Sequence, residues 1–503
     1  MKPTVNDVGD ENGILASVKR ISVNSAIYAL GNILTRGLVF LLVPMLTRQL
    51  TPAEYGILAM TMIISNLLPV GLGLGIDNAV AQLYFKYQTD DERRRLYGTA
   101  LIFLLVVPTT GTLLLEIAGR AGALDFVPSV PFNPYLHITI WASCLSVFIT
   151  LPQAIYMTRQ EPFKILALTM MSSVATVSLN FYLVVYLKRG LLGSLWATLF
   201  SAAITAAVSI VLAARMSIWQ FSWAKIRAAL AFSVPTVPHV MSQWALSMAD
   251  RFVLISYVST TALGLYSVGY QFGALVVLFS GAVQNALVPM INSHLTDAGA
   301  RHKVPPLGTY AILSIVAVGL GVALFSEDAM RLIVPPRFQE GKAVVPWIVL
   351  GYVFHGVYLI WSRGTWFSMR TTLMPLLTIL AAALNVGLNL WLVPRWGITA
   401  AAINTAVAYG ALALMHGALA TRLFRVPWEY GRWIKIILMA TLCFLISTSL
   451  ARSNWPQNMI IKGLSVLALF PLSLFIVRFL APREKKFILS LPGRFGLGRL
   501  RTS

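Results

Sequence analysis

Among the charged or titratable side chains that interrupt stretches otherwise apolar enough to cross a bilayer are Arg36, Asp77, His239, Asp250, Arg251, His355 and Arg363. An arginine at mid-bilayer costs roughly 2.5–3.5 kcal/mol on insertion scales, so such a residue faces a polar cavity or a partner rather than lipid. Arg36 sits near the middle of the first apolar run and is the leading candidate for a cavity cation. Arg251 and Arg363 are the further candidate substrate-binding cations, with an interface ion pair or snorkelling to headgroups as the alternatives. Asp77 and Asp250 are candidates for a coupling carboxylate or a structural ion pair. Asp250 and Arg251 are adjacent, so on a helix they point about 100° apart, and Asp250 is expected to find a different partner.

This inventory suits electrostatic binding and does not suit catalysis. The chain has no HExxH, GxSxG, phosphate-loop GK[ST] or paired Cys-x-x-Cys pattern, which excludes the enzyme classes those motifs mark. GLGLGI (71–76) follows no soluble strand and is not a dinucleotide loop. The two cysteines, Cys144 and Cys443, lie in apolar runs and read as packing residues. No cofactor and no metal site is expected.

The elements that position these residues are membrane spans. Hydrophobic residues make up 57% of the 503-residue chain and charged residues 11%, with a mean hydropathy of +0.75. So few charges cannot cover a soluble surface, and the chain reads as an all-α polytopic membrane protein. Windows of about twenty apolar residues predict about 14 transmembrane helices, near 21–47, 55–84, 96–118, 135–157, 163–187, 190–214, 229–257, 264–291, 307–325, 346–367, 375–394, 397–420, 436–452 and 459–481. With both termini cytoplasmic, 25 of the 39 Lys and Arg residues fall on inner segments and nine on outer loops, as the positive-inside rule requires. The net charge of +21 is therefore a topology signal; no basic soluble domain is present to bind nucleic acid.

The second half echoes the first. LTRQLTPAEYG (46–56) aligns with LISYVSTTALG (254–264), placing Gly56 on Gly264. SLNFYLVVYLKRGLLGSLWATLFS (178–201) aligns with GLNLWLVPRWGITAAAINTAVAYG (387–410), placing Asn180 on Asn389 and, after a two-residue gap, Gly190 on Gly397. The two matches sit at nearly the same offset, about six spans, which implies parallel repeats around an axis along the membrane normal. The expected division is a cytoplasmic segment at 1–20, an N-lobe at 21–214, a linker at 215–228, a C-lobe at 229–420, two added spans at 436–481 and a basic cytoplasmic tail at 482–503. RMSIWQFSWAKIR (215–227) mixes aromatic and basic residues and reads as a helix in the headgroup plane, with a plain linker carrying interface anchors as the alternative. Pro44, Pro69, Pro235, Pro238 and the glycines of 71–76 mark candidate hinges.

GNILTRGLVFLLVPMLTRQLTPAEYGIL (31–58) and ALSMADRFVLISYVSTTALGLYSVGYQFG (245–273) resemble the Wzx-type polysaccharide flippases of the multidrug/oligosaccharidyl-lipid/polysaccharide exporter superfamily. That resemblance implies two six-helix lobes around a central cavity that opens alternately to each side of the bacterial inner membrane. It implies an undecaprenyl-diphosphate-linked oligosaccharide as cargo, with membrane lipids and polysaccharide polymerase or export machinery as partners. A cationic cavity suits a pyrophosphate in low dielectric, and arginine's planar fork fits phosphate oxygens. The sister families are the alternatives: a lipid II flippase, whose Asn-Arg and Arg-Asp elements are absent from TRGLVFLLV, or a multidrug cation antiporter, which the extra spans and arginine bias disfavour. A membrane enzyme of glycan assembly fits less well, because no outer loop exceeds about twenty residues.

Overall fold

The computed structural model describes residues 31, 33–124, 130–284, 304–367, 373–423, 426–450 and 455–480. The expected segments 1–20 and 482–503 lie outside the described residues, as do the side chains of His239 and Arg363. Every regular element among the described residues is a helix. Residues 33–40 run through a turn at Leu41 into α1 (Leu42–Gln49). Thr51 then starts α2 (Pro52–Gly73) with a reciprocal cap. Its hydroxyl accepts from the Glu54 N–H at 3.3 Å while the Glu54 carboxylate accepts from the Thr51 N–H at 2.8 Å. Pro52, with no N–H to satisfy, fits the first position.

Leu74 and Gly75, both left-handed with φ of 48° and 68°, separate α2 from α3 (Ile76–Tyr84). The break falls inside the glycine-rich stretch expected to bend. Next come α4 (Asp90–Arg120), α5 (His137–Ser146), α6 (Thr150–Thr158), α7 (Pro162–Asn180), which a π-helical turn extends to Tyr186, and α8 (Gly190–Met216). The second half holds α9 (Trp223–Ser233), α10 (Val237–Tyr257), α11 (Thr260–Gly273), α12 (Val304–Ile333), α13 (Val345–Phe367) and α14 (Leu373–Leu423). A 3-10 turn at Pro235 separates α9 from α10, and a 3-10 segment, Pro336–Val344, joins α12 to α13. The chain closes with α15 (Tyr430–Ser449), α16 (Trp455–Leu464) and α17 (Phe470–Ile476).

Eleven helices among the described residues are long and apolar enough to cross a membrane. One of them, running 50 residues from Leu373 to Arg422, is bent double at Gly397, whose φ of 58° and ψ of −139° leave the helical region. Asn404 Nδ2 donates to Asn389 Oδ1 at 3.2 Å, whereas fifteen positions on a straight helix span about 22 Å. The run is thus the hairpin expected from spans 375–394 and 397–420. The span expected at 229–257 is present as α9 and α10, and its polar residues keep it out of the eleven.

The linker corrects an expectation. Residues 217–222 are not helical, and the helix begins only at Trp223. The Ile218 N–H donates to the Arg94 carbonyl at 2.9 Å, Thr99 Oγ1 donates to the Gln220 carbonyl at 3.1 Å, and the Ser222 N–H returns a bond to Thr99 at 3.2 Å. Those long-range partners on α4 satisfy the linker's amides, so it does not coil. A Cβ at residue 98 would run into the Ile218 carbonyl, so only glycine permits this docking. Trp219, Phe221 and Trp223 stay exposed, as interface anchors should.

Repeat-equivalent residues meet face to face. A Cβ on Gly56 would strike the Thr260 carbonyl, a Cβ on Gly264 would strike the Pro52 carbonyl, and each would lie 3.1 Å from the other glycine's nitrogen. This reciprocity is what an axis relating α2 to α11 produces at the point where it passes between them. The second alignment has a structural counterpart too. Gly190 and Gly397 both take positive φ, and Asn180 and Asn389 each bond across the following hairpin, to Ser194 at 2.8 Å and Asn404 at 3.2 Å.

Adding one methyl at the crossing should force the backbones apart, an overpacking cost of about 1–3 kcal/mol. Gly56→Ala and Gly264→Ala are each expected to lower the melting temperature of the purified protein in detergent. Gly37→Ala, where a Cβ meets nothing within 4 Å, is expected to leave it unchanged or raised.

Candidate functional site

The helices expected to flank a central cavity close against each other on one side. That side holds the α1–α2 turn, the α10–α11 turn and the 3-10 segment before α13, all expected on the outer face. Gln271 Nε2 donates to Tyr55 OH at 2.9 Å, and the Tyr55 ring meets Phe338 edge-on at 5.6 Å. Arg337 Nη2 donates to the carbonyls of Thr47 and Arg48, each at 2.9 Å. These are unpaired carbonyls at the negative end of α1, which a guanidinium suits. With the Gly56–Gly264 crossing they join residues of the first two expected spans to α11 and the 3-10 segment.

Among the described residues of the expected first span, those near that face pack tightly and residues 33–41 are more open. Leu42, Val43, Leu46 and Leu50 are buried, whereas Ile33, Leu34, Val39 and Leu41 are 46–55% exposed. Arg36 lies in this open stretch, about 20 Å along the helix from Gln49, and its side chain is exposed. Among the described residues it has no ion-pair partner.

Arg251 has the opposite environment. It is 5% exposed and Asp250 1% exposed. The two side chains meet, which corrects the expectation that adjacent residues point apart: Arg251 Nη1 donates to Asp250 Oδ1 at 2.8 Å. The arginine's length permits this, because the same Nη1 folds back along the helix to donate to the Ser247 carbonyl at 2.7 Å. Its guanidinium carbon lies 4.1 Å from the centre of the Tyr270 ring. The other carboxylate oxygen, Asp250 Oδ2, accepts from Tyr266 OH and, at 3.3 Å, from Thr405 Oγ1. Tyr270 and Tyr352 share a hydroxyl bond of 2.6 Å that extends the network to α13. Four helices, α10, α11, α13 and α14, thus converge on one internally neutralised pair.

The remaining expected residues are dispersed. Asp77 is half-buried in the first turn of α3, where a carboxylate is favoured by the helix N-terminus. Arg363 lies on α13. His355 is enclosed by the rings of Tyr352, Tyr358 and Tyr409, with centroids 5.2–6.3 Å away. Arg36 and Arg251 are not gathered into one cluster, and no group of three or more metal-ligating side chains occurs among the described residues. Sequence reasoning passed over Tyr266 and Tyr270, although their four-residue spacing on α11, beside a repeat-matched glycine, would have placed both on one helix face.

Residues 45–335 match the family described as polysaccharide biosynthesis protein. Among curated relatives, the probable low-salt glycan biosynthesis flippase Agl15 of Haloferax volcanii is 20% identical over 235 residues, covering 45% of this chain and half of that protein. The lipid II flippase MurJ in an inward closed conformation superposes with a TM-score of 0.71 at 13% identity, over 90% of this chain and 99% of that one. An inward-facing multidrug resistance transporter of the MATE family, in the MOP superfamily, superposes with a TM-score of 0.62 at 15% identity, over 76% and 93%. At these identities the likeness establishes a shared fold, the all-α membrane fold expected from the sequence.

Removing one member of a buried ion pair costs about 3–5 kcal/mol, because the other charge is left unpaired. Asp250→Asn is therefore expected to lower thermal stability sharply in purified protein. Replacing both residues, Asp250→Leu with Arg251→Met, is expected to recover most of that loss. A single variant as stable as the parent would mean that the pair is not held as described.

Proposed function

We propose, from the premise that this chain belongs to the polysaccharide biosynthesis protein family, that it is a flippase carrying an undecaprenyl-diphosphate-linked oligosaccharide across the bacterial inner membrane for surface polysaccharide biosynthesis. One observation supports the site assignment: Arg36, in the apolar run expected as the first span, is exposed and has no ion-pair partner among the described residues. A pyrophosphate leaving water needs paired cations, and a guanidinium offers it two parallel hydrogen bonds. In this reading Arg36 receives the pyrophosphate from the inner side, and Arg363 is a second contact toward that entrance. Arg251, already neutralised by Asp250, holds the C-lobe together. Asp77 anchors the start of α3 beside the Leu74–Gly75 break.

Alternating access is the mechanism this reading proposes. The outer contacts of Tyr55, Gly56 and Arg337 form the closed gate and part when the two lobes rock about the axis between α2 and α11. Breaks at Leu74–Gly75 and Pro235 supply the bends. Multidrug cation antiport fits less well, because the buried carboxylate of Asp250 already has a tethered cation.

Arg36→Ala is expected to reduce glycan export by about tenfold to a hundredfold, the equivalent of the ~1.5–3 kcal/mol in hydrogen bonds to a charged group. Arg36→Lys is expected to retain part of the activity, since charge stays and bidentate geometry goes. The measurement is surface polysaccharide in cells carrying only the variant, with protein level in the membrane as control. Full export by Arg36→Ala at normal protein level would remove Arg36 from the substrate site.

A further inference from the structure

A mixed-charge pocket and an apolar groove adjoin in the C-terminal half. The pocket, about 280 Å³, lies between the last turns of α12, the 3-10 segment, the end of α15 and the start of α16. Its charged walls are Glu327, Asp328, Arg331, Lys342 and Lys462. The groove, about 330 Å³, is lined by α12, α13 and α15 and carries no charged residue. Ala323, Pro346 and Phe444 line both, so one leads into the other. From Ala323 to Val316 the groove follows α12 for about 10 Å into the apolar layer. It opens on the surface that faces hydrocarbon, where Trp347 and Leu445 are exposed.

The charges divide into two sets. Asp328 and Lys462 are buried and bonded to each other, tying α12 to α16 and cancelling internally. Glu327, Arg331 and Lys342 are open to the pocket, and both cations bond the same oxygen, Glu327 Oε1, at 2.8 and 2.7 Å. One carboxylate shared by two cations leaves a net positive charge with N–H donors to spare, at headgroup depth and directly above an apolar slot. We infer that this is a docking site for an anionic phospholipid, a phosphodiester head carrying one net negative charge with one acyl chain in the groove. A single phosphodiester neutralises the open set, and hydrogen bonds from ionised donors make that contact strong. The site needs only that the chain spans a bilayer, and it stands apart from the reading of Arg36.

The test is native mass spectrometry of the full chain in detergent, titrated separately with phosphatidylglycerol, phosphatidylethanolamine and phosphatidylcholine of equal chain length. Tightest binding is expected for phosphatidylglycerol, retained at about tenfold lower concentration than the other two, with the preference shrinking as salt rises. The double variant Arg331→Ala with Lys342→Ala is expected to erase that tenfold preference. Thr441→Trp fills the groove, leaves every charge in place, and is expected to weaken phosphatidylglycerol retention about tenfold as well. Equal retention of the three lipids by the parent protein overturns the proposal. A preference that survives the double variant places the anionic site elsewhere and overturns it too, as does phosphatidylglycerol retention unchanged by Thr441→Trp.

Discussion

Two glycine backbones in contact, at Gly56 and Gly264, are the constraint on which the arrangement turns. Lipid-embedded helices have little hydrophobic reason to associate, since acyl chains are as apolar as leucine; they associate where small residues let backbones approach. Here each glycine admits the other helix's carbonyl, so α2 and α11 cross at backbone distance. Tyr55, one residue before Gly56, then reaches Gln271 and Phe338, and Arg337 reaches the end of α1. A bulkier crossing would lift all of these apart together. Closure on that face is thus a single cooperative contact, while residues 33–41, with Arg36, are left more open.

The buried pair of Asp250 and Arg251 acts differently. Its two charges bring little net stability once desolvation is counted. What they bring is specificity of assembly: a carboxylate with three donors, from Arg251, Tyr266 and Thr405, is satisfied only when α10, α11 and α14 are in one register. Apolar residues of equal volume would tolerate a slipped helix, and this network does not.

Much of this architecture was legible in the residues, because hydropathy and glycine placement follow from backbone rules. The eleven long apolar helices among the described residues overlap the apolar windows; the aligned glycines Gly190 and Gly397 both take positive φ; and the break at Leu74–Gly75 falls within GLGLGI. What escaped was decided by long side chains and distant partners. The contact of Asp250 with Arg251 depends on how an extended guanidinium curls, and helical wheel angles do not describe that. The non-helical course of 217–222 depends on Arg94 and Thr99, more than a hundred residues earlier. Which way Arg36 points depends on where neighbouring helices leave room, which no local pattern encodes.

The two hairpins closed by asparagine also bear on the order in which the chain enters the bilayer. In each, the side-chain amide bonds within its own pair of helices, Asn180 to Thr176 and Ser194, Asn389 to Asn385 and Asn404. An unpaired amide in hydrocarbon costs several kcal/mol. The first hairpin satisfies Asn180 internally and avoids that cost while later spans are still being synthesised, whereas the second pairs Asn389 but leaves Asn385 Nδ2 buried without a partner. The α7–α8 hairpin is therefore suited to be a stable insertion unit before the rest of its half has arrived, while the folded-back α14 still needs a later partner for Asn385.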